Sequence, residues 1–186
     1  MIFKETSLKD AFTVQIEKIE DNRGYFATTF AIHDFEAHGL NGHIKQTSSS
    51  FNKLKGTVRG MHFQLPPYAE TKLVRCVKGA IYDVIVDLRP KSPTFMKWQG
   101  FELSEENMLM YYIPEGFAHG YQTLTDNAEV GYMLGQVYSP QHARGVRHDD
   151  SEIGIIWTLP VTVVSARDEA LPSLKELMET EAVMRG

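Results

Sequence analysis

Residues 72–88 read KLVRCVKGAIYDVIVDL, and this stretch decides the fold class. It contains two runs of strand length, 72–77 and 81–88, which are separated by the turn signal Lys78-Gly79. From here toward both termini the dominant period of apolar and polar residues is two, which is typical of strands rather than helices. The stretch therefore predicts two consecutive strands.

Runs of the same kind occur on both sides of this stretch, and Gly or Pro punctuates nearly every junction between them. The additional predicted strands are 12–16, 25–30, 57–64, 98–103, 108–113, 119–124 and 129–137. Asp21-Asn22-Arg23-Gly24 predicts a turn, and short helices are predicted near 32–39 and, at the C-terminal end, over 172–179. Many short strands with regular turns predict an all-β fold, an antiparallel double-sheet barrel or sandwich.

The composition bounds the function as well as the fold. A chain of 186 residues, 42% hydrophobic and 23% charged, suits one folded domain, so we expect a single domain over 1–186. The formal net charge of −5 argues against nucleic acid as the main partner, because phosphate recognition needs a basic surface. No apolar run has the roughly 18 to 20 residues of a membrane helix, and no secretion signal opens the sequence. A cytoplasmic protein without membrane attachment is expected.

Arg59 and His62 stand in the predicted strand 57–64, and both residue types suit a binding or catalytic site. Strict alternation would direct the two side chains to opposite faces of the sheet. Gly60 is therefore either a bulge that brings both to one face or a sign that one of them lies outside the site. Taken alone, a histidine in this position is more often a hydrogen-bonded core residue than a catalytic base.

Three other polar residues are candidates for chemistry. Lys72 shares a face with Val74 and Cys76, so its ammonium group must point into a cavity, toward a partner or to the rim of the sheet. Tyr132 on its own is more often a structural tyrosine with its hydroxyl at the surface. Asp168 on its own is equally compatible with a helix cap or a solvated loop charge.

The segment PEGFAH at 114–119 has the spacing Pro-x-Gly-x-x-His, which resembles the second motif of the cupin superfamily. Metal-binding cupins normally carry a His-x-His pair and a nearby Glu in the first motif, whereas His62 is followed here by Phe63-Gln64. The single Cys76 excludes a cysteine-based zinc cage, and His62 and His119 alone are too few ligands for a transition metal. We therefore predict a metal-free barrel that uses no cofactor.

Eight segments carry a more specific resemblance. They are DNRGYF at 21–26, VRGMHFQ at 58–64, KLVR at 72–75, the run 83–89, SPTF at 92–95, PEGFAHG at 114–120, YSP at 138–140 and SARD at 165–168. Their order and spacing, from about residue 20 to residue 174, resemble the dTDP-4-dehydrorhamnose 3,5-epimerase family. The resemblance implies a metal-free cupin-type jelly roll, usually a homodimer, in the pathway from dTDP-glucose to dTDP-L-rhamnose.

The resemblance assigns proton transfer to four residues. His62 matches the general base, and an imidazole suits proton removal near neutral pH. Asp168 matches the carboxylate that orients the base, and Lys72 matches a cation beside the developing enolate oxygen. Tyr132 matches the acid that returns a proton from the opposite face, the step associated with inversion at C5. The implied activity is inversion of C3 and/or C5 of a nucleotide-linked 4-keto-6-deoxyhexose, by default dTDP-4-dehydro-6-deoxy-glucose.

The remaining matched positions are implied to bind this substrate. Arg23 and Arg59 match contacts to the diphosphate, for which the guanidinium fork is suited. Tyr138 matches an aromatic side chain that stacks on the nucleotide base. The other predicted substrate-binding residues are Phe26, Gln46, Ser48, His119 and Arg167.

Several positions depart from the family pattern at the nucleotide end of the pocket. Thr28 and Ala143 stand where the family usually has Glu, and Arg167 replaces a common Lys. A CDP- or GDP-linked 4-keto sugar therefore stays open as substrate, as does inversion at one carbon rather than two. Two other functions also stay open, a 3,4-ketoisomerase of the same fold and a non-catalytic cupin that binds sugar nucleotides.

Overall fold

The computed structural model describes residues 1–181, which form thirteen strands and three short helices. The strands are β1 (Ile2–Glu5), β2 (Phe12–Gln15), β3 (Ile19–Asp21), β4 (Gly24–Phe26), β5 (Gln46–Asn52), β6 (Val58–Gln64), β7 (Lys72–Lys78), β8 (Ala80–Asp87), β9 (Trp98–Ser104), β10 (Leu109–Ile113), β11 (Phe117–Thr123), β12 (Ala128–Leu134) and β13 (Ala143–Gly145). The helices are α1 (Ile32–Ala37), α2 (Ala166–Glu169) and α3 (Leu174–Thr180). None of these helices combines the length and the hydropathy needed to cross a membrane.

Eleven strands build two sheets. The six-stranded sheet has the order β1-β2-β10-β7-β12-β5, and the five-stranded sheet has the order β13-β6-β11-β8-β9. β3 and β4 form a separate hairpin, and every pairing between these strands is antiparallel. Most neighbours within a sheet are distant in the chain, as in a jelly roll. The predicted antiparallel double-sheet fold and the predicted C-terminal helix are therefore confirmed.

The two strands predicted from 72–88 are β7 and β8, and they lie in different sheets. Val74 of β7 and Ile85 of β8 pack in one core cluster between the sheets. On its other face, β8 packs Val84 into a second cluster that includes Leu177 of α3. Burial on both faces explains why 81–88 reads as an almost continuous apolar run.

A third apolar cluster covers the outer face of the six-stranded sheet. At its centre Phe35 of α1 packs against Phe3, Phe30 and Tyr112, with ring centroids 5.0, 5.1 and 5.9 Å away. The predicted strand 25–30 is longer than the observed strand β4. The strand ends at Phe26, because the chain leaves the hairpin to bring Phe30 onto Phe35.

The sequence interpretation missed β1, β3, β5, β13 and α2. β5 reads QTSSSFN and has no apolar alternation; it forms an edge strand that pairs along its whole length with β12. α2 has only four residues, which is too short for a periodic signal. The expectation of one domain over 1–186 extends beyond the described residues, since 182–186 lie outside them.

Candidate active site

A cavity of about 450 Å³ is lined by strands of both sheets and by α2. Ten of the predicted site residues line it together. They are Gln46, Ser48, Arg59, His62, Lys72, His119, Tyr132, Tyr138, Arg167 and Asp168.

The central feature is a hydrogen bond between His62 and Asp168. His62 Nε2 lies 2.7 Å from Asp168 Oδ1, and the other carboxylate oxygen accepts a hydrogen bond of 3.2 Å from the backbone amide of Gly60. Asp168 is buried at the start of α2, where Ser165 caps the helix by accepting from the Asp168 amide. The His62 side chain is 42% exposed, so its ring reaches the cavity.

Two opposing effects act on the Asp168 carboxyl group. Burial alone raises its pKa, but the hydrogen bond and charge of His62, with the Gly60 amide, outweigh burial and hold the pKa below its usual value. An ionised Asp168 fixes the His62 proton on Nε2. The Nδ1 atom is then the basic nitrogen of the ring.

A bulge at Gly60 explains how Arg59 and His62 share the cavity. His62 pairs with His119 and Arg59 pairs with Tyr121, so three steps along β6 match two steps along β11. Gly60 has φ of +116°, and a Cβ atom there would lie 2.5 Å from the Cα of Gly120. Of the two alternatives left by the sequence, the structure shows the bulge.

Lys72 points into the cavity and not to the rim of the sheet. Its side chain is 9% exposed, and its Nζ lies 2.7 Å from Glu70 Oε1 and 3.5 Å from the backbone oxygen of His62. Glu70 also lines the cavity, and its second oxygen accepts a hydrogen bond of 3.1 Å from Gln64 Nε2. The lysine therefore enters the site as half of a buried ion pair.

His119 forms a second histidine–carboxylate pair. Its Nε2 lies 2.8 Å from Asp83 Oδ2, and both side chains are buried. Among residues 1–181, Asp83 Oδ1 has no hydrogen-bond partner. Burial raises the pKa of Asp83, against the smaller lowering effects of His119 and Lys72.

The Tyr132 hydroxyl lies inside the site, so the surface interpretation of this residue is wrong. It is 3.3 Å from Ser50 Oγ, which is in turn 2.7 Å from the Tyr121 hydroxyl. The Tyr132 ring stands edge-on to His119, with centroids 6.2 Å apart. Burial first, and then the neighbouring Tyr121, hold the pKa of Tyr132 well above its usual value, so its phenol stays protonated and able to donate.

Tyr138 is held at the cavity by two of the other predicted binding residues. The Tyr138 amide donates to Gln46 Oε1 at 3.2 Å, and Arg167 Nη2 donates to the Tyr138 hydroxyl at 3.3 Å. Gln46 also donates to Ser48 Oγ at 3.1 Å. Ala143 lines the same cavity beside Arg144.

Arg23 and Phe26 are not among the residues that line this cavity. Both belong to the β3–β4 hairpin, where the Arg23 side chain is 85% exposed and bonds only to Asp21 among the described residues. Phe26 is also exposed, and Thr28 does not line the cavity either. Within a single chain, Arg23 and Phe26 therefore do not lie with the other predicted site residues around the cavity.

Several lining residues were not named as site residues from the sequence, among them Ser50, Glu70, Tyr121 and Arg144, and Asp83 lies directly behind the cavity. Asp83 carried a usable signal, because it is a charged residue between Ile81 and Ile85 in an apolar strand. Glu70 lies just before β7, and no sequence pattern marked it as a site residue. The described residues contain no group of three His, Cys, Asp or Glu side chains that could hold a metal ion.

Comparison with known proteins gives one consistent result. The family model described as dTDP-4-dehydrorhamnose 3,5-epimerase matches residues 5–176. A curated dTDP-4-dehydrorhamnose 3,5-epimerase of Sinorhizobium fredii is 42% identical over 178 residues, which cover 95% of this chain and 91% of that protein.

Solved structures agree with the sequence comparison. The dTDP-4-dehydrorhamnose 3,5-epimerase from Elizabethkingia anophelis superposes with a TM-score of 0.91 at 38% identity, covering 95% of this chain and 97% of the other. The Bacillus anthracis enzyme, solved with TDP and PPi bound, gives 0.90 at 39% identity, covering 93% and 99%.

Proposed function

The chain belongs to the dTDP-4-dehydrorhamnose 3,5-epimerase family, and from this premise we propose that it inverts C3 and C5 of dTDP-4-dehydro-6-deoxy-glucose. One observation carries the proposal, the 2.7 Å hydrogen bond between His62 and Asp168 in a cavity that Lys72 and Tyr132 also line. A non-catalytic binding protein would have no need of this pair. The product is dTDP-4-dehydro-L-rhamnose.

Proton removal is the task of His62. The carbon next to the C4 ketone gives its proton to Nδ1, and the C–H electron pair moves to the ketone as an enolate. Asp168 on Nε2 stabilises the imidazolium that forms, and it also fixes the orientation of the ring. Asp168 must be ionised for this role, and its lowered pKa favours the ionised form.

The developing negative charge falls on the C4 oxygen. Lys72 brings a fixed ammonium group into the cavity, where removal from water makes a charge interaction stronger. The His119–Asp83 pair adds a second polar group on the neighbouring strand, suited to holding a sugar oxygen.

At C5, Tyr132 gives a proton to the carbon from the other face of the sugar. Its phenol stays protonated because burial raises its pKa, and the transfer regenerates the C4 ketone. The imidazolium and the phenolate then exchange protons with solvent, which resets both groups. This cycle predicts that solvent deuterium enters each carbon that is inverted.

Three arginines, Arg59, Arg144 and Arg167, line the cavity, and a guanidinium binds phosphate oxygens in a bidentate manner. The Arg144 guanidinium also pairs with Glu181. Tyr138 offers its ring to the base. The relative from Bacillus anthracis, which was solved with TDP bound, supports dTDP as the carrier. A CDP- or GDP-linked substrate is the second candidate, because Ala143 lines the cavity where family members usually place Glu.

The positions of Arg23 and Phe26 support a homodimer. Their hairpin also exposes Ile19 and Tyr25, an apolar set that suits contact with a second copy. The roles proposed for Arg23 and Phe26 at the diphosphate and base then require that one subunit supply this hairpin to the cavity of the other.

The deciding experiment incubates the protein in D2O with dTDP-4-dehydro-6-deoxy-glucose and follows C3 and C5 by proton NMR. Deuterium at both carbons with a new sugar product supports the 3,5-epimerase, and deuterium at one carbon indicates a single-site epimerase. Movement of the carbonyl to C3 would indicate a ketoisomerase. His62→Ala is the control, expected to abolish exchange while keeping dTDP affinity, and the CDP- and GDP-linked sugars are tested in parallel.

A further inference from the structure

Glu70 and Lys72 form an ion pair that is largely removed from water. The two side chains are 10% and 9% exposed, and Lys72 Nζ lies 2.7 Å from Glu70 Oε1. A buried ion pair is weak evidence for stability, because the cost of desolvating both charges offsets most of their attraction. The pair stands at the wall of the cavity, where a fixed charge has a chemical use.

Both oxygens of Glu70 face hydrogen-bond donors. Oε1 faces the Lys72 ammonium group, and Oε2 accepts from Gln64 Nε2 at 3.1 Å. The Gln64 amide cannot turn over without losing a hydrogen bond, because its Oε1 accepts from the Ser139 backbone amide at 2.6 Å. A glutamine at position 70 would therefore turn its NH2 group toward another donor, either the Lys72 ammonium group or Gln64 Nε2.

We propose that Glu70 is a positioning residue for the epimerisation, which holds the Lys72 ammonium group at the point where the enolate charge develops. This inference rests on the function proposed above. A lysine side chain has a flexible stem of four carbons. Apart from the contact with Glu70, the only hydrogen bond of Lys72 to the described residues is a long one, 3.5 Å, to the His62 backbone oxygen. A cation that moves to meet the enolate costs reorganisation during the reaction, whereas one held in place beforehand does not.

The same hydrogen bonds join the cation to the nucleotide end of the cavity. Gln64 contacts Glu70 through its amide nitrogen and Ser139 through its amide oxygen, and Ser139 follows Tyr138 directly. The carboxylate of Glu70 is thus held on one side by Gln64, which in turn accepts from the residue after Tyr138, and on the other side it contacts Lys72.

The test measures solvent exchange at C3 and C5 for Glu70→Gln, together with dTDP affinity by calorimetry. Glu70→Gln is expected to lower kcat at both carbons about 10- to 100-fold and to leave the dTDP Kd within about twofold. In a Lys72→Met background, Glu70→Gln should lower the rate no further, because Glu70 acts only through Lys72. The double variant leaves no single buried charge, so its rate relative to Lys72→Met still tests the inference if Glu70→Gln alone folds poorly.

Asp87→Asn is the matched control. Asp87 is also a buried carboxylate that pairs with a basic residue two positions later, Arg89, but neither lines the cavity. Its loss should lower the melting temperature and leave kcat per folded enzyme unchanged, as a merely structural role would.

Two results would overturn the inference about Glu70 alone. The first is a kcat of Glu70→Gln equal to that of the unaltered protein. The second is that Glu70→Gln lowers kcat by the same factor in the Lys72→Met background as in the protein that keeps Lys72. Both results count only if the unaltered protein shows normal exchange. No exchange by the unaltered protein on any of the three nucleotide sugars would instead refute the proposed function, and the role of Glu70 with it.

Discussion

His62 and His119 lie directly opposite each other on the antiparallel strands β6 and β11, and each ring is hydrogen-bonded to a carboxylate of its own. The two carboxylates are held differently. Asp168 accepts hydrogen bonds from His62 and from the Gly60 amide, whereas one oxygen of Asp83 has no hydrogen-bond partner within residues 1–181.

This difference sets opposite pKa shifts in two pairs that look alike. Burial opposes ionisation in both, but in Asp168 the hydrogen bonds prevail and lower the pKa, while in Asp83 burial prevails and raises it. Asp168 is thus ready to stabilise an imidazolium, and Asp83 keeps a proton to higher pH. The His62 pair suits proton removal, and the His119 pair suits hydrogen bonding to substrate.

Asp168→Asn is expected to lower exchange at C3 and C5 about 10³- to 10⁴-fold. An asparagine must offer its oxygen to the Gly60 amide and its NH2 group to His62, which turns Nε2 into an acceptor and moves the ring proton to Nδ1, the atom that has to act as base. Proton NMR in D2O measures the rate. Glu169→Gln, an exposed change on the same helix, is the control, and an Asp168→Asn rate within tenfold of the control would contradict the assigned role.

The two carboxylates are also expected to give opposite pH dependences of stability. The folded-state pKa of Asp168 lies below the usual 3.8, so its contribution is complete above that pH and is lost as the pH falls through the folded-state pKa. That of Asp83 lies above 3.8, so its contribution is complete below that pH and is lost as the pH rises toward the folded-state pKa.

Urea unfolding of both variants and the unaltered protein between about pH 3 and pH 7 measures this contrast. The stability deficit of Asp168→Asn should shrink as the pH falls below 3.8. That of Asp83→Asn should shrink as the pH rises above 3.8. Deficits that run parallel over the whole range would contradict the opposite shifts.

The period-two pattern was sufficient to predict the double-sheet fold, because β7 and β8 have strand-length apolar runs with Gly79 between them. It failed for β5, whose polar sequence forms a strand through pairing with β12 and not through a buried face. Short elements such as α2 take their structure from a cap and from tertiary contacts, here Ser165 and the His62 ring.

The site was less accessible to sequence reasoning than the fold. Alternation alone left Arg59 and His62 unresolved, because a single extra residue at Gly60 reverses every side chain beyond it. Only the family resemblance paired His62 with Asp168, which lies 106 positions along the chain. Glu70 was missed because the hydrogen bonds that define it come from Gln64 and Lys72, and no local pattern reports them.

Tyr132→Phe is expected to spare exchange at C3 and to lower inversion at C5 about 100-fold. The variant keeps the ring against His119 but removes the proton donor that Ser50 contacts. NMR in D2O resolves the two carbons in one experiment. Tyr112→Phe, which removes a buried hydroxyl bonded to Asn41 away from the cavity, is the control; equal loss at both carbons in Tyr132→Phe would argue against a selective acid role.

Arg23→Ala is expected to weaken dTDP-sugar binding while leaving exchange at saturating substrate nearly unchanged, because Arg23 is proposed to contact the diphosphate and not the reacting carbons. The matched control is Arg147→Ala, another exposed arginine paired with an aspartate two positions away. Calorimetry with dTDP measures the affinity of both variants.

Mixing subunits tests whether Arg23 acts on the cavity of a partner. In a dimer of one Arg23→Ala chain and one His62→Ala chain, the cavity that keeps His62 receives an intact hairpin from the other subunit, provided that the hairpin crosses the interface. The measurement uses a substrate concentration so low that the Arg23→Ala homodimer turns over little, and the His62→Ala homodimer is inactive at any concentration. Random reassortment of the two homodimers should then give about a quarter of the unaltered activity, since half of the dimers are mixed and each has one complete site of two. If Arg23 serves its own chain, every site in the mixed dimer lacks one residue and no activity returns. A monomer in light scattering would exclude the exchange altogether.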